Sequence, residues 1–303
     1  MKIPESDSDD FSGHFSFASL LVHQLLSDLQ MTINTSSGQV MESVIPELRV
    51  FPAGENVKAF VKCFWQLEKP GGYLHERLLP NGETQLIFHY GIPFSESYGG
   101  NSAGSQPHSL ICGQFTTYKD IFSYGQAGLL GVVFHPYASN ALFGIPAHHF
   151  THLSVGLTEV EKGLYDIGMR VAAANTLQQR LMLIEDFILR RMRAVNQRHF
   201  AMIRKSVELL SQSSSEKGLN QVASSLFVGE RQFERLFKDY VGLTPGKFAG
   251  ISRFHRALGL ISSSQSLTSV ALEAGYYDQA HFIREFRNIS GEKPSELRRR
   301  MSG

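Results

Sequence analysis

Cysteine is scarce: Cys63 and Cys112 are the only two in 303 residues. A chain of this length can bury a substantial core without cross-links, so both read as reduced, buried thiols of an intracellular protein. There is no CxxC pair and no glycine-rich phosphate loop, which removes the commonest redox and nucleotide signatures. Long apolar runs are missing too. The most apolar early stretch, Phe15 to Leu29, is broken by His23, Gln24 and Asp28, and is too short and polar to span a bilayer. The opening MKIPESDSDD is acidic where a secretion signal needs a basic segment, so a cytoplasmic chain with no membrane partner is expected. Histidine is more plentiful. His148 and His152 stand four apart, with His149 beside them, but no adjacent glutamate supplies the base of a zinc hydrolase. No metal ligand, cofactor or catalytic residue is expected, and the chain does not read as an enzyme.

Net charge is small, +1, yet unevenly spread. From Gln197 onward there are 16 Lys/Arg against 10 Asp/Glu, leaving 13 against 18 before it. A basic C-terminal part joined to an acidic N-terminal part suits a nucleic-acid reader with a partner domain.

What the basic part does contain is an internal repeat. Leu219, Val222 and Ala223 lie 48 residues before Leu267, Val270 and Ala271, while Phe233, Arg235, Phe237, Gly242 and Pro245 lie 49 before Phe282, Arg284, Phe286, Gly291 and Pro294. The offset grows by one inside a turn, as one inserted turn residue requires. Each copy reads as a short helix, a tight turn and a second helix. In the first copy the short helix spans about Asn220 to Phe227, and its successor follows Gly229 with Phe233, Leu236, Phe237 and Tyr240 as its apolar stripe. In the second copy Gly275 ends the short helix, Asp278 caps the next, and Phe282, Phe286 and Ile289 form the stripe. Paired helices of this kind are the helix-turn-helix unit, whose second helix enters the major groove of DNA.

The side chains left off the stripes are the candidate contacts. On the first recognition helix these are Arg231, Glu234, Arg235 and Lys238. On the second they are Ala280, Ile283, Arg284 and Arg287, with Gln279 and His281 at its exposed start. Arginine forks suit guanine, glutamine suits adenine, and apolar groups suit the thymine methyl. A single such helix would be a solvated face of an ordinary bundle; two in register favour double-stranded DNA as the partner.

At GERQFERLFKDYVGLTPGKF and GYYDQAHFIREFRNISGEKPSELR the chain resembles the DNA-binding domain of the AraC/XylS family of bacterial transcription regulators. The resemblance covers roughly Arg198 to Arg300. It departs at Gly229, where the family usually has a serine cap. It implies that a long helix from Thr244-Pro245 to about Ile261, with Phe248, Ile251, Phe254, Leu258 and Ile261 inward, bridges the two units. It also implies RNA polymerase as a partner, with a small-molecule effector and a homodimer as further expectations.

Upstream, the fold class expected is α+β: a strand-rich N-terminal regulatory domain, a helical linker, and an all-α C-terminal domain. Residues 1–45 are expected to be a poorly ordered arm, 46–157 the strand-rich domain, 158–197 a helical linker or dimerisation segment, and 198–303 the double helix-turn-helix reader. Within the second of these, His75–Leu79 and Thr84–Tyr90 flank Pro80-Asn81-Gly82 and predict a hairpin. Strands are expected at Leu110–Phe115, Lys119–Tyr124 and Gly128–Phe134, and a helix from Pro136 to Phe143. LPNGETQLIFHYG, ICGQFTTY and LLGVVFHPYASNALFGIPAHHF resemble an uncharacterised sensor-type domain found ahead of AraC-type readers. Leu177, Leu181, Ile184, Ile188 and Met192 then form a helical stripe suited to packing two domains or two subunits together. Phe200–Leu210 is a first support helix, and Arg298–Arg300 end the last helix, where phosphate contact is one reading. The competing function is a small-molecule-binding protein or enzyme in the N-terminal domain, with DNA binding secondary.

Overall fold

The computed structural model describes residues 46–101, 104–191, 196–212, 229–263 and 265–302. The expected N-terminal arm, Met192, Arg193 and the helix at Asn220–Phe227 lie outside them. The N-terminal part is built from strands β1 (Glu47–Pro52), β2 (Val61–Lys69), β3 (Tyr73–Leu78), β4 (Gln85–His89), β5 (Ser95–Tyr98), β6 (Gly104–Ser105), β7 (Ser109–Cys112), β8 (Lys119–Tyr124), β9 (Ala127–Phe134) and β10 (Ser154–Gly156). They form two antiparallel sheets, ordered β1-β2-β9-β4-β7-β10 and β3-β8-β5-β6. Every residue of β9 is buried. Such a strand reads as an unbroken apolar run because both its faces are covered, so no alternation appears in AGLLGVVF. Gly131 at its centre is required, since a Cβ there would collide with the indole of Trp65 on the neighbouring strand.

The hairpin expected around Pro80 does not form. β3 pairs with β8, Tyr73 opposite Tyr124, whereas β4 pairs with β7 and β9 in the other sheet. The turn residues are used differently: Leu79–Thr84 carries the chain from one sheet to the other. Gly82 (φ +75°) brings it against the ring of Phe248 in the C-terminal part, where a Cβ would stand 2.9 Å from Cε2. The strand expected at Leu110–Phe115 ends at Cys112, and the helix expected from Pro136 begins only at Ser139. Residues 135–138 first make a turn, Ala138 N–H donating to His135 O.

The helices are α1 (Ser139–Phe143), α2 (Leu157–Val160), α3 (Tyr165–Ala173), α4 (Leu177–Arg191), α5 (Gln197–Gln212), α6 (Glu230–Val241), α7 (Pro245–Leu260), α8 (Leu267–Ala274), α9 (Gln279–Ser290) and α10 (Pro294–Ser302), with short 3-10 turns at Ala147–Phe150 and Lys162–Leu164. This is the strand-rich half followed by a helical half that the α+β reading expected. Among the described residues, no helix is long and apolar enough to cross a membrane.

The α4 stripe packs the two halves together. Ile184 and Ile188 are fully buried in one continuous core with Phe64, Leu86 and Val132 of the sheet and Phe200, Ile203 and Phe237 of the C-terminal helices; Leu177 and Leu181 pack partly against it. Burial of two isoleucines at this junction stabilises it by about 1.5–3 kcal/mol each. A second core holds Phe254, Ile261, Val270, Phe282, Phe286 and Leu297. Helix α7 belongs to both, through Phe248 and Ala249 in the first and Phe254 and Ala257 in the second, with Ile261 just past its end.

Candidate nucleic-acid interface

Local chemistry sets the ends of the helices that carry the candidate contacts. Thr244 Oγ1 accepts from Lys247 N–H at 3.3 Å and Pro245 takes the first helical position, which starts α7. Asp278 Oδ1 accepts from His281 N–H at 2.6 Å, which starts α9. Gly229, at the start of α6, is extended and supplies no side-chain cap. Gly242 and Gly291 end α6 and α9 in the left-handed conformation, φ 90° and 82°, where a side chain would be strained.

Between those ends the buried stripes match the sequence pattern: Phe233, Leu236, Phe237 and Tyr240 on α6, and Phe282, Phe286 and Ile289 on α9. On α6, Arg231, Glu234, Arg235 and Lys238 are all exposed. On α9, Ala280, Arg284 and Arg287 are exposed, but the other three are not fully so. Gln279 Oε1 accepts from Thr268 Oγ1 at 2.8 Å. His281 lies with Nε2 3.1 Å from Glu285 Oε2 and its ring edge-on to Tyr276. Ile283 packs partly against the second core. The expectation of a fully exposed start to α9 is therefore corrected. Its first turn leans on α8 and the Tyr276 ring, which helical spacing alone does not reveal.

Several arginines turn out to be structural. Arg253, 5% exposed on α7, reaches Glu285 on α9. Arg256 donates to Ser211 O at 2.9 Å and Ala274 O at 3.3 Å, carbonyls at the ends of α5 and α8, and its burial lowers its pKa. Arg298 donates to Ile261 O at 2.7 Å and Gln265 O at 2.9 Å, beyond the end of α7. Of the three arginines that end the last helix, Arg298 therefore closes another helix end, while Arg300 pairs with Glu292 at 2.9 Å. Nothing local in the sequence marks these roles, since each carbonyl partner comes from another part of the chain.

His148 and His149 stack on each other, and His148 Nδ1 lies 3.4 Å from Asp239. Among the described residues no group of three or more His, Cys, Asp or Glu is placed to hold a metal ion. Cys63 and Cys112 are free and buried, and burial pushes the Cys63 thiol up to about 12.

Residues 222–300 match the family described as a helix-turn-helix domain, and residues 49–156 match a domain of unknown function, DUF6597. An uncharacterized HTH-type transcriptional regulator of Haemophilus influenzae is 27% identical over 213 residues, 66% of this chain and 65% of that protein. The arabinose operon regulatory protein of Escherichia coli is 27% identical over 123 residues, 38% of this chain and 42% of that one. The chain thus spans just under two thirds of the first relative and less than half of the second. An AraC-type DNA-binding domain from Chromobacterium violaceum is similar in structure, at 28% identity and a TM-score of 0.30, over 34% of this chain and 93% of that one. With the buried stripes of α6 and α9 in place, the C-terminal part of the chain is an AraC-type helix-turn-helix domain, carried behind a domain of the DUF6597 kind.

Proposed function

We propose that the chain is a sequence-specific DNA-binding transcription regulator and not an enzyme. It reads two successive major grooves, one with α6 and one with α9, and activates nearby genes under the control of its N-terminal domain. Residues 46–157 act as the sensor, 158–197 as the linker and 198–303 as the reader. The observation that carries this reading is the repetition itself: two recognition helices joined by α7, each with a buried apolar stripe and exposed arginines. Arg231, Arg235, Lys238, Arg284 and Arg287 meet phosphates or base edges; Glu234, Gln279, Ala280, His281 and Ile283 complete the faces that approach the bases. For two grooves on one side of the duplex, the helices must sit about 34 Å apart. RNA polymerase is the expected protein partner, the chain acts in the cytoplasm, and a homodimer would double the site.

Control by a small molecule is supported by a cleft of 580 Å³ in the N-terminal part, lined by residues that include Glu96, Tyr98, Thr117, His152 and Ser154.

A mobility-shift assay with genomic fragments tests the function. Retarded bands are expected at low salt. With about six phosphates neutralised, affinity should fall about a thousandfold between roughly 50 and 200 mM salt. Unaltered migration at low salt, with and without candidate effectors, would overturn the reading.

A further inference from the structure

The N-terminal domain grips the reader at equivalent positions of its internal repeat. Thr151 Oγ1 donates to Gly242 O at 2.7 Å. A Cβ on Gly242 would stand 3.2 Å from Ala147 O and 3.3 Å from Thr151 Oγ1, so the two backbones are in contact there. Gly242 is the left-handed end of α6, and Gly291, 49 residues later, is that of α9. A Cβ on Gly291 would stand 2.5 Å from Tyr118 Cε1. The guanidinium of Arg77 lies 3.9 Å from the centre of the Tyr118 ring, and Thr117 Oγ1 donates to Asn288 O at 3.0 Å. Midway along the reader, His255 Nε2 on α7 lies 2.6 Å from Pro80 O.

The two gripping segments are tied to each other. His152 N–H donates to Gln114 O at 2.7 Å, and His152 Nε2 lies 3.2 Å from Thr116 Oγ1. His152 is the one non-glycine residue with positive φ, 63°, among the described residues. That conformation costs on the order of 1 kcal/mol and persists only where the surroundings over-determine it. Here it is held by the contact that joins segment 114–118 to segment 147–152. The grip is at the C-terminal ends of α6 and α9, and the side chains of Arg231, Arg235, Ala280 and Arg284 stay exposed.

We propose that segments 114–118 and 147–152 form one rigid bracket that sets the separation and relative twist of the two recognition helices. The N-terminal domain then governs the reader by spacing it, not by covering it. Helix α7 and the contacts of Arg256 and His255 tie the two cores near the middle of the reader. A further tie at the C-terminal ends of both recognition helices closes a ring around them. Spacing matters because a displacement of about 3.4 Å is one base-pair step along the duplex. Thr117, Thr151 and His152 are positioning residues in this arrangement. The consequence for DNA rests on the function proposed above; the bracket itself is a property of the free protein.

The test is a spin-label distance measurement on the full chain without DNA, with labels at Gln232→Cys on α6 and Ala280→Cys on α9, Cys63 and Cys112 being buried. The parent should give one narrow distance population. Thr117→Val combined with Thr151→Val should broaden or displace it, and Thr117→Ser with Thr151→Ser should restore it. His152→Gly keeps the positive φ while deleting the tie to Thr116, and should broaden it as well. Distributions identical to the parent in the valine pair and in His152→Gly, in variants with unchanged melting curves, would overturn the bracket. A second arm uses proteins without the labels and duplexes recovered by selection from a random library. One inserted base pair between half-sites should cost the parent about tenfold in affinity and the valine pair much less. An equal loss in both would count against the bracket. A selection that recovers no duplex would overturn the DNA reading, and the distances would still decide the bracket.

Discussion

Arg253 on α7 and Glu285 on α9 meet with Nη2 3.3 Å from Oε2 and 3.4 Å from Oε1. The arginine is 5% exposed, and His281 Nε2 approaches the same carboxylate oxygen at 3.1 Å. The pair therefore fixes the second recognition helix to the bridging helix from its inner side. Gly250 makes room for it, since a Cβ there would stand 2.6 Å from Glu285 Oε1. Removing the carboxylate withdraws a charged partner from a buried guanidinium, so Glu285→Ala should destabilise the protein by about 2 kcal/mol. Urea unfolding measures this. A loss below about 0.5 kcal/mol would mean that solvent replaces the carboxylate without cost.

The two recognition helices start differently, and their caps should respond in opposite directions. Asp278→Ala removes the acceptor of His281 N–H and should cost about 1 kcal/mol. Gly229 is extended, φ −63° and ψ 140°, with nothing within 4 Å of a built Cβ. Gly229→Ser should therefore stabilise by about 0.5 kcal/mol, through a new cap and a less flexible unfolded chain. Equal melting shifts of the same sign in both variants would contradict this account.

Arg235 and Arg284 occupy equivalent places in the repeat and are both exposed. Each alanine variant should lose about 1–3 kcal/mol of binding and relax base preference in its own half-site. Binding to a panel of point-substituted duplexes distinguishes base reading from backbone grip. A uniform loss across all sequences would assign both arginines to phosphate.

Acid should loosen the fold through two histidines held neutral. Burial lowers His89 and His255 to about 4, and each has an oxygen near Nε2: Gln106 Oε1 at 3.0 Å and Pro80 O at 2.6 Å. An unfolded histidine takes up its proton near pH 6.5, so between about 6.5 and 4 the unfolded chain binds more protons than the folded one. Their stabilisation is thus complete above pH 6.5 and falls as the pH drops towards 4. From pH 7.5 to 5.5 the loss should be about 1 kcal/mol per histidine. Urea titrations of the parent and of His255→Gln at both values check it, the variant losing less.

Much of the C-terminal half was legible because its information is local. Thr244, Gly275, Asp278 and Gly291 act on backbone groups within a few residues of themselves, and a helical stripe repeats over one or two turns. Its internal repeat makes each motif visible twice. The strands at Lys119–Tyr124 and 128–134 were also legible, the second as an unbroken apolar run.

The chain by itself determined where most helices of the reader begin and end, which of their faces turn inward, and which basic residues lie off those faces. Tertiary structure alone decided that Pro80–Gly82 crosses between sheets and leans on α7, that Arg253, Arg256 and Arg298 serve the fold, and that Gln279, His281 and Ile283 are half-withdrawn. The reason is the range of the interactions. Capping and periodicity are settled between neighbours in sequence, whereas a strand's partner, a carbonyl awaiting an arginine, or a ring across an interface is brought near only by the folded chain.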